Sequence, residues 1–444
     1  MKNSYIKIAF AFIGVIVGAG LSSGQDILQY FLCFGSSGLI GVMLLGLLNI
    51  VFGRIMVTLG CYYRSDNHEA VFSEISHPVV TRMLDLVLAV GGFCMGFVMV
   101  AGAGANMQQQ FGIPFFVGAL FCTLLIIFIS FLDFEKITGI LGGFTPVMIG
   151  MILLIAAYTF FGKSYDFQEL DQVARTIKPA MGNLWLSVID YYALCAMTGV
   201  SMAFILGGSV VRIGVAEKGG TIGGMLIGII VMVAALSLYA NIREIKDADM
   251  PMLAIVNSIH PFLASIYALT IFALIFNTAF SLYYSIARRY SGGDVRKMRR
   301  IMIMIASAGF LCSFGGFRQL IGIMYPVLGY MGILLLVILF CGYIRERKNI
   351  VFEKFLRRKM IRISLKKQDP DRKFNKKEEA LFHRFGEISQ ADAGNLKRDI
   401  HEMASRIVEN VDDTRAYAEE HFPVDDEKFR AELTGQQRNQ AAEE

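Results

Sequence analysis

The chain has seven cysteines but no CxxC pair, so neither a thiol-ligated zinc site nor a disulfide framework is expected. It also has no phosphate loop, no zincin pattern and no nucleophile elbow. Ser22 and Ser23 have no histidine close by in sequence, which argues against a hydrolase. Lys2 and Lys7 open the chain, but no small-residue cleavage site follows a short apolar region. The start therefore reads as a first membrane span and not as a removed signal. No enzyme chemistry is written in this sequence.

What it does have is apolar length. Hydrophobic residues make up 55%, with 35 Phe and 44 Gly, and mean hydropathy is +0.53. Long apolar runs recur until about Ile344, and the cysteines all fall in or beside them. The predicted spans are 5–34, 37–60, 83–107, 113–132, 137–161, 184–210, 221–241, 252–287, 300–316 and 319–343. Ten spans put both termini on one side. With the N-terminus inside, thirteen Lys or Arg fall on inner segments and six on outer ones before the tail, as the positive-inside rule requires. The expectation is an all-α, multi-pass protein of the cell membrane with both termini cytoplasmic.

The stretch Gly18-Ala19-Gly20-Leu21-Ser22-Ser23-Gly24-Gln25-Asp26 interrupts the first span. Three glycines and two serines in seven residues are poor helix material. A break at membrane depth survives only inside protein or along a polar cavity. Many secondary transporters build their binding sites from such broken helices. A second break is expected at Met197-Thr198-Gly199-Val200-Ser201 in span six. Five spans in each half would make the second half enter from the opposite side, giving an inverted repeat if the halves share a fold. Gly14/Gly18, Gly92/Gly96, Gly139/Gly143 and Gly220/Gly224/Gly228 are spaced for close helix packing.

Amides at Ser22, Ser23 and Gly24 would favour a carboxylate, and carbonyls at Gly18, Ala19 and Leu21 a cation. With Gly20 they form a site able to hold both ends of an amino acid. Asp26, one turn on, is either a coupling site or amine partner, or a helix-start carboxylate satisfying backbone donors. Ahead of the second break lie Asp190, Tyr191 and Tyr192, with Tyr192 favoured over Tyr191 as the aromatic closing over Thr198 and Gly199. Arg318 is either an outer-gate partner of Asp190 or Asp26, or a loop arginine. Asn277 and Thr278 in span eight either complete a cation site opposite the first break or bond across helices. Asp85 either pairs with Arg82 or lines the inner pathway, and His260 reads as structural.

Phe12-Ile13-Gly14 with the stretch from Gly18 to Ile27, and Tyr325-Pro326-Val327-Leu328-Gly329-Tyr330, resemble YkvI-type membrane proteins of the amino acid–polyamine–organocation superfamily. The resemblance covers roughly residues 5–344. It implies the leucine-transporter fold, with broken first and sixth helices around a central site, and movement of amino acids or amines with protons or sodium. By the same resemblance an aromatic of span six closes over substrate, and hydroxyls of span eight complete a sodium site. Asn277 ahead of Thr278 departs from that pattern. Some proton-coupled relatives carry a lysine on the fifth helix, and span five here has none. Spore germination receptors in the superfamily make a signalling receptor or scaffold the alternative to transport. Sodium is the one cofactor it would imply.

Beyond 344 the composition changes. Residues 345–377 hold fourteen Lys or Arg against four acids, with Phe352, Phe355, Leu356, Met360 and Ile363 near helical spacing. That reads as an amphipathic segment along anionic lipid of the inner leaflet, in preference to a nucleic-acid site. Residues 378–444 reverse the sign, with seventeen acids and eight bases. Their stripe Leu396, Ile400, Met403, Ile407, Val411 would dock on the basic segment, pair with a second copy as a homodimer, or bind a cytoplasmic partner. The expected units are thus 1–344, 345–377 and 378–444. Cysteines introduced at positions 350 and 170 should label from inside and outside respectively. The reverse pattern would overturn the topology.

Overall fold

The computed structural model describes residues 4–16, 19–64, 68–131, 143–161, 165–411 and 413–424. Among these every regular element is helical. The first expected span is a chain of short pieces: α1 (Ser4–Ile16), α2 (Ala19–Ser23) and α3 (Gln25–Tyr30). Gly24 between α2 and α3 takes φ +76°, a left-handed conformation costly for residues with a Cβ. The break is therefore present and centred on Gly24. Gly18 and the second half of the expected turn into α2 differ in standing: Gly18 lies outside the described residues, whereas Ala19–Ser23 is helical.

The other membrane-length elements are α4 (Ser37–Tyr63), α5 (His68–Ile75, a short connector), α6 (Pro78–Phe111), α7 (Phe115–Ile129), α8 (Phe144–Phe160), α9 (Phe167–Ala174, also short) and α10 (Leu184–Gly208). They are followed by α11 (Ile213–Ala240), α12 (Ile242–Ile245), α13 (Pro251–Ile259), α14 (Pro261–Ser291), α15 (Val295–Cys312) and α16 (Phe317–Gln368). Seven of the described helices are long and apolar enough to cross a membrane, and three shorter ones are apolar. The expected second break is absent, because α10 runs unbroken through 197–201. Thr198 Oγ1 donates to the Cys195 carbonyl 2.9 Å away, inside its own helix. Span eight is divided at its start instead: Pro261 opens α14, and His260 caps it by accepting from the Phe262 amide.

Two groups of helices pack around α3. In one, α4 lies against α10 and α11, with α1 beside them; in the other, α6 lies against α7, α14 and α15. Glycine brings the first group together. A Cβ on Gly46 would sit 3.2 Å from Gly228 Cα, and Cβ atoms on Gly220 and Gly224 would strike the backbone of Gly53 and Asn49. The small-residue stripe 220/224/228 thus lets α4 and α11 approach backbone to backbone. At the end away from the tail, Asp171 of α9 accepts from the Ser36 amide at 2.6 Å and from Arg175 Nε at 2.9 Å. These bonds, the backbone one first, hold its carboxyl down at about 2.

The last span does not stop at 343. Helix α16 continues for 52 residues, roughly 78 Å, far beyond a bilayer core of about 30 Å. The expected leaflet-lying segment is its continuation. Its apolar face is covered by α17 (Lys376–Ile388), α18 (Ala393–Val408) and α19 (Thr414–His421). Phe352, Leu356, Met360 and Ile363 form a small core with Phe385, Leu396, Ile400 and Ile407. Its charges are partly used in the same way, Lys366 and Lys367 pairing with Glu378 and Glu379. Of the readings open for the tail, docking on the basic segment is the one the structure shows.

The docked tail grips the body at three places. Arg357, 1% exposed, pairs with Glu353 at 2.7 Å and donates to the Cys61, Tyr62 and Val211 carbonyls. Arg64 pairs with Asp399, and Arg212 donates to the His421 carbonyl. Removing one partner of a buried ion pair leaves the other charge uncompensated. Arg357→Ala should therefore loosen the junction by about 3–5 kcal/mol. Limited proteolysis should cut the 369–375 turn faster than in the wild type; an unchanged cleavage rate would contradict this.

Candidate functional site

Helix α3 begins at the Gly24 break and is buried along its whole length. Its spacing of four places Asp26 and Tyr30 on one face and Gln25 and Gln29 on another. Across from it α10 presents Asp190 and Tyr191. The pairing is crosswise. Tyr191 donates its hydroxyl to Asp26 Oδ2, and Tyr30 donates to Asp190 Oδ2 at 3.1 Å. The two tyrosine rings lie 5.2 Å apart, and Phe31 meets Tyr191 edge-on at 5.4 Å. Both carboxyls are buried. A tyrosine bond to a carboxylate is charge-assisted, worth about 1.5–3 kcal/mol each, and a buried acid without any donor would cost more than that.

The third wall is α16. Tyr325 lies with its ring 6.5 Å from that of Tyr30. One turn later Gly329 packs directly on Asp190, where a Cβ would overlap the carboxyl. One turn earlier Gly322 faces Gln29, whose Oε1 would be 3.7 Å from a Cβ there. Several polar atoms in this junction are buried without a hydrogen-bond partner: both amide atoms of Gln25, Gln29 Oε1, Asp190 Oδ1 and the Tyr325 hydroxyl. Among the described residues neither Asp26 nor Asp190 has a salt-bridge partner.

The expected residues divide accordingly. Asp26, Asp190 and Tyr191 come together. Tyr192, the favoured aromatic, points elsewhere: its ring lies 5.5 Å from Phe52 of α4. A continuous α10 rotates neighbours by about 100°, so only one of the two tyrosines can face α3. Arg318 does not reach either acid in this structure. Its guanidinium donates to the Lys246 carbonyl at 2.8 Å, while Gln29 donates to its carbonyl at 3.2 Å. Ser22, Ser23 and Leu21 are buried in α2, and the Ser22 carbonyl accepts from Tyr267 of α14 at 2.9 Å. Ser23 Oγ accepts from the Gln25 amide at 3.2 Å. Ala19 and Gly20 are helical, and Gly18 lies outside the described residues.

Of the span-eight pair, Thr278 donates to the Leu274 carbonyl of its own helix at 3.0 Å, and Asn277 Oδ1 is buried without a partner. Thr198 and Gly199 sit within α10 as ordinary helical residues. Asp85 pairs with Arg289 at 2.7 Å, not with Arg82. Reasoning from sequence missed Gln25, Gln29, Tyr30 and Tyr325 as parts of the junction. Their signal was present: two amides four apart inside an apolar span, and a tyrosine one turn after Asp26.

No family model matches the chain. Over 349 residues, 79% of this chain and 99% of the relative, it is 24% identical to the uncharacterized membrane protein YkvI of Bacillus subtilis (strain 168). It is 22% identical to YyaD of the same organism over 336 residues, 75% of this chain and 95% of that protein. Among solved structures it is similar to MhsT in complex with L-phenylalanine, with a TM-score of 0.58 and 12% identity over 91% of this chain and 98% of that one. The fold is therefore that of the leucine-transporter type.

The contact between Gly329 and Asp190 can be tested on one helix. Gly329→Ala should destabilise the protein by about 1–3 kcal/mol through overpacking, read as a lower melting temperature in detergent. Gly322→Ala, which meets only the end of Gln29, should be tolerated. Equal melting temperatures for the two variants would show that the Asp190 contact is not tight.

Proposed function

Taking the chain as a YkvI-type membrane protein on this fold, we propose that it is a secondary active transporter of an amino acid or small amine-containing solute. The observation that carries this reading is Asp26: a buried carboxyl two residues after a left-handed break, bonded across the junction to Tyr191 of another helix. Buried acids inside membrane bundles mark ion and substrate routes. A carboxyl that exchanges tyrosine for ammonium or proton as α3 and α10 separate would couple solute binding to opening. Alternating access then moves the first helix group against the second, with no chemical step. The cycle would run in the cell membrane with both termini cytoplasmic, driven by a proton or sodium gradient.

In this reading Asp26 is the coupling group, most simply for a proton. A sodium version would draw on the α2 carbonyls with Asn277, whose Oδ1 is buried without a partner, and would use Gly18, Ala19, Leu21 and Thr278 as its further ligands. Asp190, Tyr191, Ser22, Ser23, Gly20 and Gly24 would line the solute path. One observation favours a second reading, a receptor signalling through the tail. The tail holds the ends of α4 and of the α10–α11 turn through Arg357, Arg64 and Arg212, so movement of those helices would reach it.

Uptake into proteoliposomes, with proton and sodium gradients imposed separately over a panel of amino acids and amines, distinguishes these readings. Asp26→Asn keeps size and removes the charge. It should abolish uphill uptake while preserving binding or exchange. Accumulation by Asp26→Asn equal to wild type under the same gradient would exclude an essential coupling role. Binding without flux in the wild type, with a tail-dependent response, would favour the receptor.

A further inference from the structure

The junction holds two acids and no base. Asp26 and Asp190 each take one tyrosine hydroxyl. The nearest arginine on α16, Arg318, spends its guanidinium on the Lys246 carbonyl. A buried carboxylate without a cation is costly, and one such acid is met by the coupling role of Asp26. The second has no counterpart. Its free oxygen, Oδ1, is buried without a partner, and so are Gln29 Oε1, Gln25 Oε1 and the Tyr325 hydroxyl. All four can accept a hydrogen bond. Gln29 and Tyr325 approach from α3 and α16, on either side of Tyr30, which binds Asp190.

A compact donor with several N–H groups and a positive charge satisfies such a set. A primary ammonium offers three donors and no acceptor, and its bonds to a carboxylate are the strong, charge-assisted kind. A neutral or anionic group would leave Asp190 uncompensated. Because Asp190 stands on α10 and Asp26 on α3, the two acids form two separate poles of one junction. We infer that the substrate carries two ammonium groups, and that Asp190 with Gln29 and Tyr325 is the subsite for the second. The class is therefore diamines and dibasic amino acids. Gly329 belongs to the same design, since only a residue without Cβ leaves the Asp190 carboxyl its place.

This inference rests on the transport reading for its biological use, but binding tests it without flux. Thermal stabilisation of the full-length protein in detergent is measured with putrescine, ornithine and lysine, and with butylamine, alanine and leucine. The dications should stabilise the wild type at concentrations about ten-fold or more below those needed by the monocations and zwitterions. Asp190→Asn should erase that preference while Asp26→Asn weakens all amines. Proteoliposome uptake with the same panel should follow the same order. Dication binding without any flux would keep the subsite and remove the transport reading. Equal wild-type stabilisation by butylamine and putrescine would overturn the subsite without needing a variant. A loss in Asp190→Asn that is equal for both classes would overturn it as well, since a carboxyl carrying only a proton behaves that way.

Discussion

A carboxyl group inside a helical bundle must find a hydrogen bond or a cation, and much of this molecule is arranged around two that do so. Asp26 and Asp190 are each held by a tyrosine from the helix opposite. The arrangement needs α3 to start where it does, which needs Gly24 left-handed. It needs α10 continuous, so that Asp190 and Tyr191 project in fixed directions. It needs α16 to come close, which Gly329 permits. Polar groups in such a site are costly when half satisfied. The unpartnered amides of Gln25 and Gln29 are therefore best understood as groups that wait for a ligand.

Around this junction the packing is graded. Glycine contacts bring α4, α10 and α11 nearly to backbone contact, which suits elements that move as one body. The second group, α6 with α7, α14 and α15, meets through larger side chains, such as Tyr283 against Gly96 and Phe317 against Gly102. The tail binds the first group at the ends of α4 and α10 through a buried arginine and two further charged contacts. It is thus placed to stiffen or sense the part of the bundle that lines the junction.

Much of this was legible in the sequence, because the signals were local. Glycine and serine at mid-span announced the break before Asp26. The 220/224/228 spacing announced a close helix pair. The sign reversal after residue 377 announced a tail able to dock on a basic helix. What failed was inference from composition to conformation at 197–201. There Thr198 bonds back to its own helix, and glycine serves contact: Gly207 and Gly60 pack against backbone of α4 and α10. The choice between Tyr191 and Tyr192 failed for the same reason, since it assumed a break that would have altered the helical rotation. The end of the last span was misplaced because charge was taken to mean surface. In α16 the charges and the apolar face are both answered by the tail.

The most direct measurement on this account is a double-mutant cycle between Asp26 and Tyr191, made with Asp26→Asn, Tyr191→Phe and the pair, by thermal unfolding of the full chain in detergent. If the bond ties α3 to α10, the two losses should be non-additive, with a coupling of about 0.5–3 kcal/mol. Losses that simply add would mean that the two residues act independently, and the junction as described would not exist.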